Sequence, residues 1–266
     1  MGTRQVALGA VLICLMLARI PAAGADAPFV LRLCHAAREG SFASVEGAFT
    51  NVFKAVVETK TGGKIRVEVH PCGEFGGQRD LAARAVLGNI EAAFISDRVL
   101  ADFCPQAMIF SLPYLFAKID DPRRLFRSPW GAAFAGECAR ATGLRVIQVG
   151  GCEFRHISNS RRPITRPPEA AGLRLRVAEK RVAAAMIKGL GEVPHTQPVD
   201  WLYRALRDGG VDGQEGSTLD LSGDRLFEAQ RYLTLTQHQL MTAVALMNDT
   251  FYRTLPTPLQ AIVDEA

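Results

Sequence analysis

The chain has 266 residues, 48% hydrophobic and 22% charged, with 31 Lys and Arg against 27 Asp and Glu. That near balance argues against a general nucleic-acid binder, whose affinity rests on a broad basic field, and the length is enough for one large or two modest domains. Its six cysteines include no C-x-x-C pair, so a zinc or thioredoxin-like reading has no support.

The first element is an export signal. Arg4 supplies a short positive region, VALGAVLICLMLA (6–18) is an apolar core too short to span a bilayer, and Ala23-Gly24-Ala25 is an A-x-A cleavage site. Residues 1–25 are therefore read as a signal peptide, with a transmembrane anchor as the alternative. Cys14 follows the bulky Ile13, which does not suit a lipoprotein site. Export to the periplasm permits disulfides. The five cysteines of the mature chain are an odd number, so at least one thiol is unpaired in a monomer, and small buried hydrophobes are the other reading of the rest.

FVLRLC (29–34) reads as a strand. In SVEGAFTNVFKAVVETKTGG, Val45, Ala48, Phe49, Val52, Phe53 and Val56 fall at helical spacing, with Ser44 as N-cap and Gly62-Gly63 as terminator. KIRVEVHP then alternates strictly, and a crossover helix of that length predicts that the two strands are parallel. GEFGGQRDLAARAVLGNI repeats the pattern with a loop and a helix, followed by the short buried strand IEAAFIS (90–96). Gly76-Gly77 fit either an anion cradle at a helix start or plain loop geometry.

Further along, SLPYLFAKIDDPRRLF leads into another helix, and GLRVIQVGG reads as a strand ending in glycines. Lys180 to Leu190 reads as helical. Asp200 is placed to cap WLYRALRD, which stops at Gly209-Gly210. VDGQEGS is a short strand, and RLFEAQRYLTLT (225–236) passes from helix to strand. There is no internal repeat, and the fold class is α/β.

One segment stands apart. FRHISNSRRPITRPPEAAGLRLRV (154–177) holds six arginines and a single acid, Glu169. Arg155 reads as following the strand and glycine turn at 145–151. Alternation in GLRLRV puts Arg174 and Arg176 opposite Leu173 and Leu175. An arginine inside a strand of an α/β sheet needs a paired anion or a cleft, and its planar fork holds a carboxylate bidentately. Pairing of Arg176 with an internal acid is the equal alternative. No G-x-S-x-G, H-E-x-x-H or P-loop motif occurs, and the five histidines show no helical metal spacing. No catalytic residue, metal site or cofactor is assigned, although a Cys-His nucleophile assembled in space stays open.

The blocks LRLCHAAREGS, KTGGKIRVEVHPCGEFGG, GNIEAAFIS, FSLPYLF, FRHISNSRRPI, GLRLRV, LYRALRDGGVDGQE, QRYLTLTQH and LPTPLQAIVDEA follow one another over nearly the whole mature chain. Together they resemble the substrate-binding proteins of tripartite ATP-independent periplasmic (TRAP) transporters, the DctP-like family. The resemblance implies the two-lobe periplasmic binding protein fold, with crossing hinge strands and a ligand cleft between the lobes. It implies that Arg176 holds the carboxylate of an organic acid and that Arg155 gives a second cationic contact. Arg161, Arg162, Arg166 and Arg174 are then solvated or surface-paired. The expected lobes are 26–152 plus 241–266, and 153–240. The expected protein is a periplasmic monomer, not an enzyme, that passes a small carboxylate to TRAP membrane subunits without nucleic acid or cofactor.

There are departures from the family pattern. Gly216 stands where many members place an asparagine that reaches the ligand, and Val199 in PHTQPVDWLY stands where an aromatic often lines the pocket. Ser96 and His35, at strand ends, either reach the cleft or only satisfy nearby backbone. Members continue past LP-x-x-LQ with a bracing helix, whereas this sequence stops at Ala266, which implies reduced stability if that is the protein's end. The alternatives are an ABC-type solute-binding protein, a secreted hydrolase and a binding-deficient remnant. Cys34 and Cys72 end strands expected to be neighbours, so a bridge between them is a hypothesis.

Overall fold

The computed structural model describes residues 28–37, 44–71, 73–177, 182–196 and 201–266. The signal peptide expected at 1–25, Cys72, Lys180, Val199 and Asp200 lie outside the described residues. β1 (Phe29–His35), α1 (Val45–Lys60) and β2 (Ile65–His70) form the expected β-α-β unit, its strands parallel from Phe29 opposite Ile65 to Cys34 opposite His70. Ser44 caps α1 by accepting from the Gly47 N–H at 3.0 Å. Gly62 (φ 59°) and Gly63 (φ 78°) take the left-handed conformation just beyond its end. α2 (Gln78–Val86) crosses to β3 (Ala92–Ser96), also parallel to β1.

After α3 (Asp97–Leu100) a 3-10 turn at Pro105–Ser111 carries Phe110 into the core, fully buried, a burial that contributes about 1.5–3 kcal/mol. α4 (Asp121–Phe126) is the expected helix, but a second follows that the periodicity did not announce. α5 (Pro129–Thr142) opens on N-cap Ser128 with Pro129 as its first residue and closes on Gly143 at φ 74°, the proline-in, glycine-out arrangement of helix ends. A disulfide, Cys104–Cys138, ties α5 to the residue before the 3-10 turn, with Cα atoms 5.6 Å apart.

Cys34 is free, and the Cys34–Cys72 bridge is corrected accordingly. It packs in the apolar core beneath β1 with no exposure, and burial pushes its thiol up to about 12. It behaves as a small hydrophobe.

The strand expected to end at Gly150-Gly151 does not end there. β4 runs from Leu144 to Asn159, straight through both glycines. A Cβ on Gly151 would stand 2.3 Å from the Ile119 carbonyl oxygen, so this glycine permits a close backbone approach rather than a turn. Register against the partner strand slips between Gly151 and Phe154 and again between Arg155 and Ile157. Arg155 therefore lies inside a strand rather than after one.

β5 (Arg174–Val177), α6 (Val182–Gly189), β6 (Val193–Thr196), α7 (Leu202–Arg207), β7 (Gly213–Ser217) and α8 (Thr218–Gly223) follow. β8 (Tyr232–Asn248) then returns antiparallel along all of β4, from Asn159 opposite Tyr232 to Leu144 opposite Asn248, and α9 (Asp249–Thr254) and α10 (Thr257–Glu265) close the chain. Its alternation breaks at Gln237 (φ 46°), which hid the full length of β8 from the periodicity.

The described strands make one eight-stranded sheet in the order β2-β1-β3-β8-β4-β7-β5-β6, a mixed α/β fold. Two apolar cores draw on β1 to β3, α1, α2, α5, α9 and α10. Two others lie between Ile157 and Ala229. The paired strands β4 and β8 pass from one set of cores to the other.

In the second set Glu192 is 4% exposed, and neither carboxylate oxygen has a hydrogen-bond partner. Burial pushes its pKa up to about 8. A carboxyl raised in this way holds its proton in the fold after the unfolded chain has lost it. Stability should therefore fall as pH rises from the ordinary carboxylate range to about 8, and level off above it. Glu192→Gln is expected to remove that slope and to stabilise at pH 8 by about 1–3 kcal/mol, a range discounted for water reaching the group. Urea midpoints of both proteins at pH 5 and pH 8 measure it.

Candidate functional site

Three serine-capped helix starts meet at one cleft. Ser96 ends β3 and accepts from the Val99 N–H at 3.4 Å, Ser217 ends β7 and accepts from the Asp220 N–H at 2.9 Å, and Ser44 opens α1. All three line a cleft of about 580 Å³, a volume suited to a small-molecule ligand. Ser96 also donates its backbone N–H to Gln78 Oε1 at 2.9 Å. Of the five residues expected at a site, Ser96 is on this wall. His35, Gly216, Arg155 and Arg176 are not among the described lining residues.

Those four are placed as follows. His35 is 2% exposed at the end of β1, its Nδ1 without a hydrogen-bond partner, and burial lowers its pKa. Gly216 is buried in β7 opposite His156. Arg155 is the largest fully buried side chain, at 2% exposure. Its Nε donates to Glu215 Oε2 at 2.6 Å and its Nη2 to the Glu215 carbonyl at 3.0 Å, while Nη1 stands 4.0 Å from Asp220 Oδ2 on the cleft wall. Arg176 is buried in β5, in register with Gln214 of β7 and His195 of β6.

The electrostatics link these groups. Burial alone would push Glu215 up, but the Arg155 charge, with His238 Nε2 at 3.6 Å, outweighs it and holds the carboxyl well below the ordinary range. Arg155 is raised in turn: Glu215 overcomes the effect of burial. Arg176 is lowered, first by burial and then by repulsion from Arg155 and Arg98, which Glu215 offsets in part. Arg98 is lowered by burial and by Arg155.

The other four arginines of the rich segment are satisfied near the surface, three by acids and Arg162 by backbone carbonyls. Arg161 and Arg174 both reach Asp212, at 2.7 and 2.9 Å. Arg166 pairs with Glu169, and Arg162 donates to the carbonyls of Glu169 and Ala171.

Sequence reasoning missed most of the cleft wall. Arg98 lines it from α3, as do Glu46, Glu153, Asp220 and Asp224 from other elements. Glu46, Arg98 and Asp220 sit in the first turns of α1, α3 and α8, whereas Glu153 lies within β4 and Asp224 caps the end of α8. S-D-R at 96–98 and S-x-x-D at 217–220 are visible capping signals, but nothing local says that these turns face one another. Cys152 also lines the cleft, with burial pushing its thiol up to about 12. It stays protonated at neutral pH and offers no thiolate nucleophile. Among the described residues no three His, Cys, Asp or Glu side chains are grouped to hold a metal, and no helix is long and apolar enough to cross a membrane.

Comparison with known proteins bears on this arrangement. Residues 36–266 match the family model DctP, described as bacterial extracellular solute-binding protein, family 7. A solute-binding protein from Verminephrobacter eiseniae is 31% identical over 84% of this chain and 67% of its own length. The fold superposes with a TM-score of 0.82 on a TRAP periplasmic solute-binding protein from Ochrobactrum anthropi, at 26% identity over 90% of this chain and 73% of that one. The sugar acid binding protein DctPAm from Advenella mimigardefordensis, in complex with galactonate, gives a TM-score of 0.73 at 28% identity over 90% of this chain and 76% of that one. This chain thus spans between two thirds and about three quarters of these relatives.

Proposed function

This chain belongs to the DctP family of bacterial extracellular solute-binding proteins, and we propose that it captures an organic acid in the cleft and delivers it to TRAP membrane subunits. The family is one of transport binding proteins, not enzymes. The observation that carries the reading is a cluster of three guanidiniums at a cleft of about 580 Å³: Arg98 lines it, and beyond the effect of burial Arg155 lowers both Arg98 and Arg176, and Arg98 lowers Arg176 further. An anion relieves that repulsion. In this reading Arg176 holds the carboxylate and Arg155 adds a second cationic contact. The galactonate bound to the Advenella relative, itself an organic acid, supports that reading.

The lobes are assigned to residues 26–152 with 241–266, and to 153–240. The separate apolar cores on either side of β4 and β8 support that division, with those strands as the hinge. Closure is then a hinge motion biased by a ligand that touches both sides. The protein acts as a monomer in the periplasm after loss of its signal peptide.

A thermal-shift screen of the chain, unfolded and refolded to strip any bound solute, tests this with mono- and dicarboxylates, keto acids and sugar acids. A ligand at a hundred times its Kd should stabilise the fold by about 2.7 kcal/mol. Arg176→Ala should weaken the best acid by about 10- to 100-fold, the worth of one charge-assisted contact. Undiminished affinity in Arg176→Ala would remove that residue from the clamp. A cooperative melt that no carboxylate shifts would leave the binding-deficient remnant as the reading.

A further inference from the structure

The cleft wall is unevenly charged. Arg98 is its single described cation, and among the described residues its guanidinium has no hydrogen bond and no carboxylate within ion-pair distance. It comes from α3, in the half of the sheet that bears β1 to β3, whereas Arg155 and Arg176 stand on β4 and β5. Against it the wall sets four carboxylates: Glu46 on α1, Glu153 on β4, and Asp220 and Asp224 at either end of α8. Ionised carboxylates only accept hydrogen bonds. The part of a solute that faces them must donate, and a second carboxylate placed there meets like charge. The four acids also do not converge. Among the described residues no three of them are grouped as a metal site, and they come from α1, β4 and both ends of α8, a spread that suits donors set along a chain.

Building on the organic-acid reading above, we propose that the solute is a polyhydroxylated monocarboxylate, a sugar acid, with its carboxylate on Arg98 and its hydroxyls donating to Asp220 and Asp224. Arg98 then supplies the anion contact from the β1–β3 side of the cleft. The carboxylate bridges Arg98 to the arginines of the other side, and so couples binding to closure. The acidic wall is the specificity element. It admits hydroxyls and turns away dicarboxylates.

Isothermal titration of the refolded chain tests this with D-erythronate, D-galactonate and D-gluconate against succinate and L-glutamate. The best aldonate should bind at least about tenfold tighter than succinate or glutamate. Arg98→Gln should weaken it by about tenfold or more, while ligand-free melting shows that the variant folds. Asp224→Asn, at an exposed position, should weaken the aldonate and narrow its margin over succinate. Tighter binding of succinate or glutamate, or an aldonate affinity untouched by Arg98→Gln, overturns the proposal and leaves the organic-acid reading standing. If none of the acids binds, both readings fall together.

Discussion

Replacing Glu215 with alanine is expected to cost about 3–5 kcal/mol of folding stability, because it strands the Arg155 guanidinium as an uncompensated buried charge. Arg155 is 2% exposed and Glu215 has no exposure, so neither has ready access to water. Two of the three guanidinium nitrogens of Arg155 are committed to Glu215, and the third stands 4.0 Å from Asp220. Removing both charges together, as Arg155→Met with Glu215→Leu, should cost less than either single change, since what destabilises is the orphaned partner rather than loss of the pair.

The pair also sets a pH limit. Glu215 titrates below its unfolded value, so its contribution is fully present above about pH 4.3 and is lost as pH falls further through its folded pKa. Urea unfolding of the wild type, both single variants and the double variant at pH 7, with the wild type repeated at pH 3.5, measures all of this. A Glu215→Ala cost under about 1 kcal/mol would mean that Asp220 takes over the Arg155 charge.

Periodicity made the first third of the fold legible. Val45, Ala48, Phe49, Val52 and Phe53 recur at helical spacing between the strand FVLRLC and the alternating KIRVEVHP, and a crossover helix of that length predicts the parallel β-α-β unit that forms. It failed where one residue type serves two physical ends. Gly150 and Gly151 read as a turn, yet Gly151 clears room for the Ile119 carbonyl within an unbroken strand. The same failure hid β8, whose alternation breaks at Gln237. Arg155 and Arg176 stood out because cations in strands need an explanation that the chain itself must supply. Arg98 did not stand out. Its meaning depends on the turn after β3 facing the turn after β7, and that proximity is set by the sheet order rather than by any local pattern.

Cysteine pairing was equally hidden, because it depends on which Cα atoms come within bridging distance. Breaking the Cys104–Cys138 bridge, by Cys104→Ser with Cys138→Ser or by reductant, is expected to cost about 4 kcal/mol. The bridge closes a span of 34 residues, and releasing it returns that loop's freedom to the unfolded chain. The bridge sits in the core of α5 and the 3-10 turn, where Phe110 packs edge-on to Phe134 with ring centroids 5.7 Å apart. Once reduced, the paired thiols become two small hydrophobes that still fill their space. The loss should therefore appear as a lower urea midpoint, with the cleft and the organic-acid binding proposed for it largely retained. Exported proteins meet an oxidising compartment, and a bridge of this size suits that setting. A reduced chain with an unchanged midpoint would show that α5 is held by packing alone. A reduced chain that kept its midpoint and lost the ligand would instead tie the bridge to the cleft.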